Sequence, residues 1–219
     1  MVATELEVGQ RAEAYQRFPS GAQNVLKYEQ VRVWFRGRGD GWTSGDLSAF
    51  FKIGSDDQNW YMYLVPASST LWIPEAQINI PIWRQLRADI EQRWLQGLPP
   101  EGAAACGIGD PAAYVACDGP YVVQVADPGV NPPNLAAAQE MSAGIYRVAN
   151  TETLTNVELW VDDIRLDAPL TQTGASMAMD ARLAAADVAD FSVNYVRQDG
   201  LFQQIGRDPT YRTTGALVL

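Results

Sequence analysis

The sequence contains no histidine among its 219 residues. Histidine is the commonest general base at neutral pH and the commonest side-chain ligand of transition metals. Its absence excludes Ser-His-Asp triads, Cys-His pairs and histidine-ligated zinc. The sequence also lacks a recognisable nucleophile and base pair and a phosphate-binding loop. We therefore expect a protein that is not an enzyme and that needs no cofactor.

Long apolar runs are missing as well. No stretch of about 18 apolar residues is present, so any contact with a membrane has to be made by strands rather than by a helix. Residues 1–6 carry neither a basic segment nor an apolar core, so we expect any export signal to lie upstream. Basic residues are scarce, 16 against 26 acidic ones, and the net charge of −10 argues against nucleic acid as a partner.

Cysteine occurs only twice, at Cys106 and Cys117, within the Pro-, Gly- and Ala-rich residues 99–120. Without a Cys-x-x-Cys spacing or a histidine, the two thiols make a poor zinc or redox site. The spacing favours a disulfide that closes a small loop, and such a bond indicates an oxidising compartment such as the periplasm or the cell surface. The alternative is two unrelated buried thiols.

Alternation of apolar and polar residues predicts strands through most of the first two thirds of the chain. The predicted strands are residues 31–36, 47–53, 60–65, 121–126 and 157–162, of which residues 60–65 are aromatic on both faces. One helix is predicted, with Pro81 in its first turn and an apolar stripe through Ile82 or Trp83, Leu86, Ile90 and Trp94. Short strands with a single helix and long loops predict an all-β fold, a jelly-roll-like β-sandwich over residues 1–168.

Two acidic residues interrupt the last of these runs. Val157, Leu159 and Val161 share one face, but the apolar residues then continue at Ile164 and Leu166. This shift predicts a β-bulge near Asp162 and Asp163, which makes the two carboxyl groups a weak candidate for a glycosidase pair.

The alternation returns in the last third of the chain with a period of two. Residues 174–183 and 188–197 are both ten residues long, and residues 211–219 form a third run with no turn after it. The unfinished third run indicates a fragment of a larger protein. Two interpretations of the alternation stay open: an amphipathic hairpin packed on the sandwich, or membrane strands, which need about 9–11 residues to span a bilayer.

Several segments, in their order along the chain, resemble the SprA (Sov) family of outer-membrane proteins of gliding bacteria. They are residues 25–40, residues 50–56 with Asn59 and Tyr61, Trp72-Ile-Pro-Glu75, Val157-Glu-Leu-Trp-Val-Asp-Asp-Ile-Arg-Leu166, and residues 181–183, 186–187 and 200–202. The resemblance extends from about residue 6 to residue 206, although residues 99–120 have no counterpart in the family.

The resemblance implies a non-catalytic part of the type IX secretion system, which exports proteins and supports gliding motility. Residues 1–168 would then be a sandwich domain, and residues 169–219 would be antiparallel strands of a large outer-membrane β-barrel at the cell surface. The implied partners are the rest of the barrel, other secretion subunits, secreted cargo and outer-membrane lipid. The implied lipid-facing residues are Met177, Met179, Phe191, Val193 and Tyr195, and the implied lumen-facing residues are Asp180, Arg182, Asp190 and Asn194.

Three further motifs suggest binding sites. Arg38-Gly39-Asp40 matches a cell-adhesion tripeptide, which Gly-rich turns also produce. Asp56, Asp57 and Asn59 are candidate oxygen ligands for calcium, although turn chemistry explains the same residues. The alternative function for the whole chain is a carbohydrate-binding β-sandwich of a secreted or cell-surface protein. Its candidate ligand surface is Trp42 and Trp72, which fall in predicted loops, whereas Trp34, Trp60 and Trp160 fall in strands, where burial is expected.

Overall fold

The structure is a computed structural model that describes residues 1–3, 6–69, 71–72, 75–170, 176–185, 189–198 and 212–218. It contains two compact units, Met1–Pro169 and Leu170–Leu219. The sequence predicts a boundary after residue 168, one residue before the boundary of these units.

The first unit consists of antiparallel strands and two helices. Its strands are β1 (Val2–Ala3), β2 (Arg11–Arg17), β3 (Tyr28–Gly39), β4 (Leu47–Gly54), β5 (Trp60–Val65) and β6 (Ala76–Asn79), followed by β7 (Tyr114–Asp118), β8 (Tyr121–Val125), β9 (Glu140–Arg147) and β10 (Val157–Pro169). Helices α1 (Ile80–Leu95) and α2 (Ala103–Cys106) lie between β6 and β7. One sheet has the order β1-β10-β3-β6 and the other β2-β9-β4-β5-β8-β7. The predicted all-β sandwich is confirmed.

The main core contains the inward side chains of both sheets. In β3 these are Val31, Val33 and Phe35, and in β4 they are Leu47, Ala49, Phe51 and Ile53. This is the alternation expected of strands that bury one face. The predicted helix is also confirmed. Pro81 lies in the first turn of α1, and Ile80, Trp83, Leu86 and Ile90 are its buried residues.

The six-stranded sheet buries its second face too. A smaller apolar cluster there consists of Phe50, Trp60, Met62, Ile108, Val115, Val122 and Tyr146, with Ala103, Cys106 and Cys117 packed against it. A disulfide joins Cys106, at the end of α2, to Cys117 in β7, with the two Cα atoms 5.8 Å apart. The disulfide therefore ties the loop that carries α2 to the edge of the sheet that it covers.

The bulge predicted near Asp162 and Asp163 is confirmed. The pairing of β10 with β3 shifts register between Asp162 and Arg165, and Asp163 has a φ of 51°. A positive φ is uncommon for a residue with a side chain. The backbone N–H of Asp163 donates to the Asp162 carboxylate over 2.9 Å. The bulge at these two acids thus reverses the alternation of β10. Beyond the bulge, Leu166 lies on the same face as the core residue Val31, and Arg165 lies on the outer face with Arg32.

We predict that Trp83→Ala destabilises the first unit by about 3–5 kcal/mol, because it empties the centre of the main core. The Trp83 ring is fully buried between Phe51, Tyr61 and Tyr121, with ring centroids 5.9 to 6.5 Å apart, and its Nε1–H donates to the Met62 carbonyl over 3.0 Å. Denaturant unfolding measures the change.

Trp94→Ala is the matched control, because this side chain lies on the same helix but is 38% exposed. We expect it to cost about 1 kcal/mol or less. Equal losses for the two variants would contradict the assignment of Trp83 to the core.

Candidate functional site

The second unit is a three-stranded antiparallel sheet with two chemically different faces. Its strands are β11 (Ser176–Ala185), β12 (Ala189–Gln198) and β13 (Arg212–Val218), in the order β11-β12-β13. Cross-strand partners lie on the same face of a sheet. Met179 pairs with Tyr195 and Ala181 with Val193, so these apolar residues share a face with Met177, whose own partner at the end of the ladder is Arg197.

The other face of this sheet is polar. Asp180 pairs with Asn194, whose side-chain amide donates to the Asp180 carboxylate over 3.3 Å, and the Arg182 Nε lies 3.7 Å from the same carboxylate. On the apolar face, Met177 and Met179 are 55% and 51% exposed.

Four of the five predicted lipid-facing residues therefore share one face: Met177, Met179, Val193 and Tyr195. Phe191 pairs with Leu183 in the ladder of β11 and β12, but its side chain lies outside the described residues, as does that of Asp190.

A second surface lies on the outer face of the four-stranded sheet in the first unit. Trp160 is 40% exposed there, and its ring centroid is 6.3 Å from that of Trp72. The guanidinium carbons of Arg36 and Arg38 lie 5.7 and 4.8 Å from the centroid of the Trp160 ring. The expectation that Trp160 is buried is wrong, because the register of β10 places this residue opposite Arg36, on the outer face of the sheet.

Trp42 does not contribute to a ligand surface. The side chain is only 6% exposed, and its Nε1–H donates to the Arg38 carbonyl over 3.2 Å. The indole lies on Gly37, where a Cβ atom would come within 2.3 Å of the ring. The sequence placed Trp42 correctly in a loop, but the loop folds inward over a glycine. The prediction of a ligand surface at Trp42 is therefore wrong, whereas Trp72 is half-buried and pairs with Trp160.

Two of the calcium candidates, Asp56 and Asn59, form hydrogen bonds that hold their own loop together. One Asp56 oxygen accepts hydrogen bonds from the backbone N–H groups of Gln58 and Asn59, over 2.9 and 2.8 Å, and the other accepts from the side-chain amide of Asn131 over 2.8 Å. The Asn59 side chain also turns its NH₂ group, which cannot bind a cation, towards Asp56. Among the described residues no group of three or more Asp, Glu, Cys or His side chains could hold a metal. Of the calcium candidates Asp56, Asp57 and Asn59, the carboxylate of Asp56 and the amide of Asn59 are thus used for hydrogen bonds within the fold.

Two aspartates between β3 and β4 hold the loop that precedes β10. Asp40, the acid of the Arg-Gly-Asp tripeptide, accepts hydrogen bonds from the Thr155 hydroxyl over 2.8 Å and from its backbone N–H over 2.9 Å. Asp46 does the same with Thr151, over 2.6 Å from the hydroxyl and 2.8 Å from the backbone N–H. These hydrogen bonds lower the pKa of both carboxyl groups. The Asp40 carboxylate is thus occupied within the fold.

The most buried charge pair joins Lys52 and Glu13. The Lys52 ammonium donates to Glu13 over 2.8 Å, and the Ser142 hydroxyl donates to the other Glu13 oxygen, also over 2.8 Å. Burial acts to raise the pKa of Glu13, but the hydrogen bond and charge of Lys52 outweigh it, so that the pKa is lowered. Because Lys52 and Ser142 are both buried, the three groups satisfy one another and present no reactive atom to a ligand.

Comparisons with known proteins find no match to any protein-family model and none among the curated proteins. In the part of the chain that the structure describes, neither helix has the length and apolar character needed to cross a bilayer.

Sequence reasoning missed the roles of Arg36, Arg38 and Trp160. A signal for the arginines was present, because Arg32, Trp34 and Arg36 alternate against the apolar Val31, Val33 and Phe35. That Arg36 meets Trp160 depends on the register between β3 and β10, which are far apart in sequence.

We predict that acid weakens the first unit partly through Asp46. Because hydrogen bonds from Thr151 lower the pKa of Asp46 below its usual 3.8, this carboxylate stabilises the fold above pH 3.8. The contribution is lost as the pH falls below that value and through the lowered pKa of the folded state. Asp46→Asn should therefore reduce the unfolding midpoint at neutral pH and flatten its decline below pH 3.8. Thermal unfolding across this pH range measures the effect.

Asp57→Asn, which alters an exposed carboxylate in another loop, is the control and should leave the acid decline unchanged. The same decline in the wild type and in Asp46→Asn would contradict this role of Asp46.

Proposed function

We propose that this chain is a non-catalytic segment of an outer-membrane translocon of the type IX secretion system. In this proposal β11, β12 and β13 belong to the wall of a large β-barrel, and the sandwich is a domain joined to that wall. The observation that carries the proposal is the two-faced sheet of the second unit, with exposed Met177 and Met179 on one face and Asp180, Arg182 and Asn194 on the other. The order of the segments that resemble the SprA family supports the same assignment.

The length of these strands suits a bilayer. Both β11 and β12 have ten residues. At about 3.4 Å per residue a strand of this length measures about 34 Å, and a tilt of about 45° reduces its height to about 24 Å. The apolar band of a transmembrane barrel is about 25 Å tall. A strand pair of this length is therefore long enough to span the hydrocarbon layer.

The exposure of the methionines favours lipid on their side of the sheet. Met177 and Met179 lie two residues apart on one strand and each exposes about half of its surface. Contact with acyl chains removes this apolar surface from water. On the opposite face, the Asp180, Asn194 and Arg182 contacts are compatible with an aqueous lumen.

The edges of the sheet supply the reason for a partner. In the described residues, β11 and β13 each pair on one side only, so each presents a row of unpaired backbone groups. Closure into a barrel pairs such edges with further strands. The first partner that we propose is thus the remainder of the same barrel, in contact with outer-membrane lipid. Other secretion subunits and exported cargo are the further partners.

We predict that the full chain needs detergent to stay monodisperse and that it co-floats with neutral phosphatidylcholine vesicles. Replacing Met177 and Met179 together by lysine should abolish co-flotation, because a lysine on the lipid face costs about 2–4 kcal/mol at the bilayer midplane. Density-gradient flotation of the purified chain, with size-exclusion chromatography with and without detergent, provides the measurement.

The matched control replaces Ser176 and Ala178 by lysine. It adds the same charge to the same strand, but on the polar face that Met177 and Met179 do not occupy. We expect this variant to float like the wild type. The proposal would be contradicted by a wild-type chain that is monodisperse without detergent and remains at the bottom of the gradient.

A further inference from the structure

The outer face of the sheet β1-β10-β3-β6 carries a cluster of aromatic and cationic side chains, here called the Trp160 patch, that consists of Arg36, Arg38, Trp72 and Trp160. We infer that the Trp160 patch binds an acidic oligosaccharide, that is, a glycan whose sugar rings carry carboxylates. This inference goes beyond the translocon proposal and does not depend on it, because every residue concerned lies in the first unit.

The aromatic part of the patch is open to a ligand. Trp160 is 40% exposed although it is the fourth residue of a 13-residue strand, and Trp72 lies beside it with an angle of 47° between the ring planes. Tryptophan usually buries most of its surface, so an exposed Trp160 beside a half-buried Trp72 on a sheet face is a feature that suggests a ligand. The flat C–H faces of a sugar ring can pack on such indole rings.

The cationic part of the patch differs from the arginines around it. On the same face, the Glu75 carboxylate forms ion pairs with the guanidinium groups of Arg32, over 3.2 Å, and of Arg165, over 2.9 Å. Both of these guanidinium groups therefore have a carboxylate partner. Arg36 and Arg38 form no ion pair with any described residue and instead lie against the Trp160 ring. The buried Nε of Arg36 has no hydrogen-bond partner among the described residues. Arg36 and Arg38 therefore have no carboxylate partner among the described residues, and a guanidinium group matches a carboxylate in a bidentate geometry.

The scaffold holds these groups in place before any ligand arrives. Arg36 pairs directly with Trp160 in the ladder of β3 and β10, and Arg38 lies two residues further along the same face. The opposite face of these strands is locked into the main core through Phe35 and Leu159. A preorganised surface loses less conformational entropy on binding.

The combination of rings and guanidinium groups identifies the ligand class. A uronic acid residue presents an apolar ring face and a carboxylate together, and an oligomer repeats both. The acidic neighbours Glu158 and Asp162 lie opposite Arg38 and Trp34 in the ladder, so the patch is not a broad basic surface. The distant acidic residues behind the net charge of −10 are screened beyond about 8 Å at physiological ionic strength. The patch thus suits a short acidic glycan better than a polyanion that needs a long basic stripe.

The test is calorimetric titration of the full chain, in a buffer with or without detergent in which it is monodisperse, with a galacturonic acid oligomer and with a galactose oligomer of the same length. We expect the acidic oligomer to bind at least about tenfold more tightly than the neutral one, because the guanidinium groups recognise only the carboxylates. Trp160→Ala and the double variant Arg36→Gln, Arg38→Gln should each weaken binding of the acidic oligomer about tenfold or more. Circular dichroism and unfolding midpoints check that each variant is folded.

Matched controls come from helix α1. Trp94→Ala removes an indole of similar exposure, 38% against 40%, and Arg84→Gln removes an exposed guanidinium. Both should bind the acidic oligomer like the wild type.

Three results would overturn the inference: equal binding of the two oligomers, loss of binding in the controls as in the patch variants, or no heat with either oligomer. Capture of a protein through the patch, without glycan binding, would also overturn it and would assign the face to a protein interface.

Discussion

The antiparallel pairing of β3 with β10 determines what both faces of the smaller sheet present. Its register puts Phe35 and Leu159 into the main core and, on the other face, puts Arg36 against Trp160. A slip of one residue would exchange these two sets completely. The bulge at Asp162 and Asp163 occurs within this ladder and reverses the alternation. For this reason the apolar residues are odd-numbered before the bulge and even-numbered after it, at Ile164 and Leu166. Main core and outer patch are thus consequences of one register.

Charged groups hold the loops that join the sheets, in addition to the apolar contacts of Trp42 and Leu154. Asp40 and Asp46 receive hydrogen bonds from Thr155 and Thr151 in the loop before β10, and Arg147 is buried beneath that same loop. The Arg147 guanidinium donates to the carbonyls of Leu6, Ala149 and Glu152, over 2.5 to 3.0 Å. A buried charge is stable only when its donors or acceptors are used. These acidic and basic groups are therefore part of the framework that holds the loops.

Much of the architecture is predictable from the sequence, and the failures have a common cause. The strands around residues 31–36, 47–53 and 60–65 and the helix after Pro81 follow from local periodicity, which depends only on neighbouring residues. Local sequence predicts an exposed Trp42 and a buried Trp160, whereas Trp42 is buried and Trp160 is exposed. The burial of these two residues depends on distant partners. A glycine at position 37 lets Trp42 fold inward, and the β10 register turns Trp160 outward. The hydrogen bonds of Asp56 likewise include one from Asn131, which lies 75 residues away along the chain.

The same two-residue alternation has different consequences in the two units. In β3 and β4 the apolar face is covered by the opposing sheet, and the largest side chains there are almost fully buried. In β11 the apolar face exposes about half of each of Met177 and Met179. Periodicity alone cannot distinguish these cases, since it reports which residues share a face and not what lies against that face. In the proposed membrane setting the surrounding medium distinguishes them, because water penalises exposed methionines and hydrocarbon does not. That difference makes matched lysine substitutions on opposite faces of β11 informative when binding to lipid vesicles is measured, because contact with lipid penalises lysine on one face more than on the other.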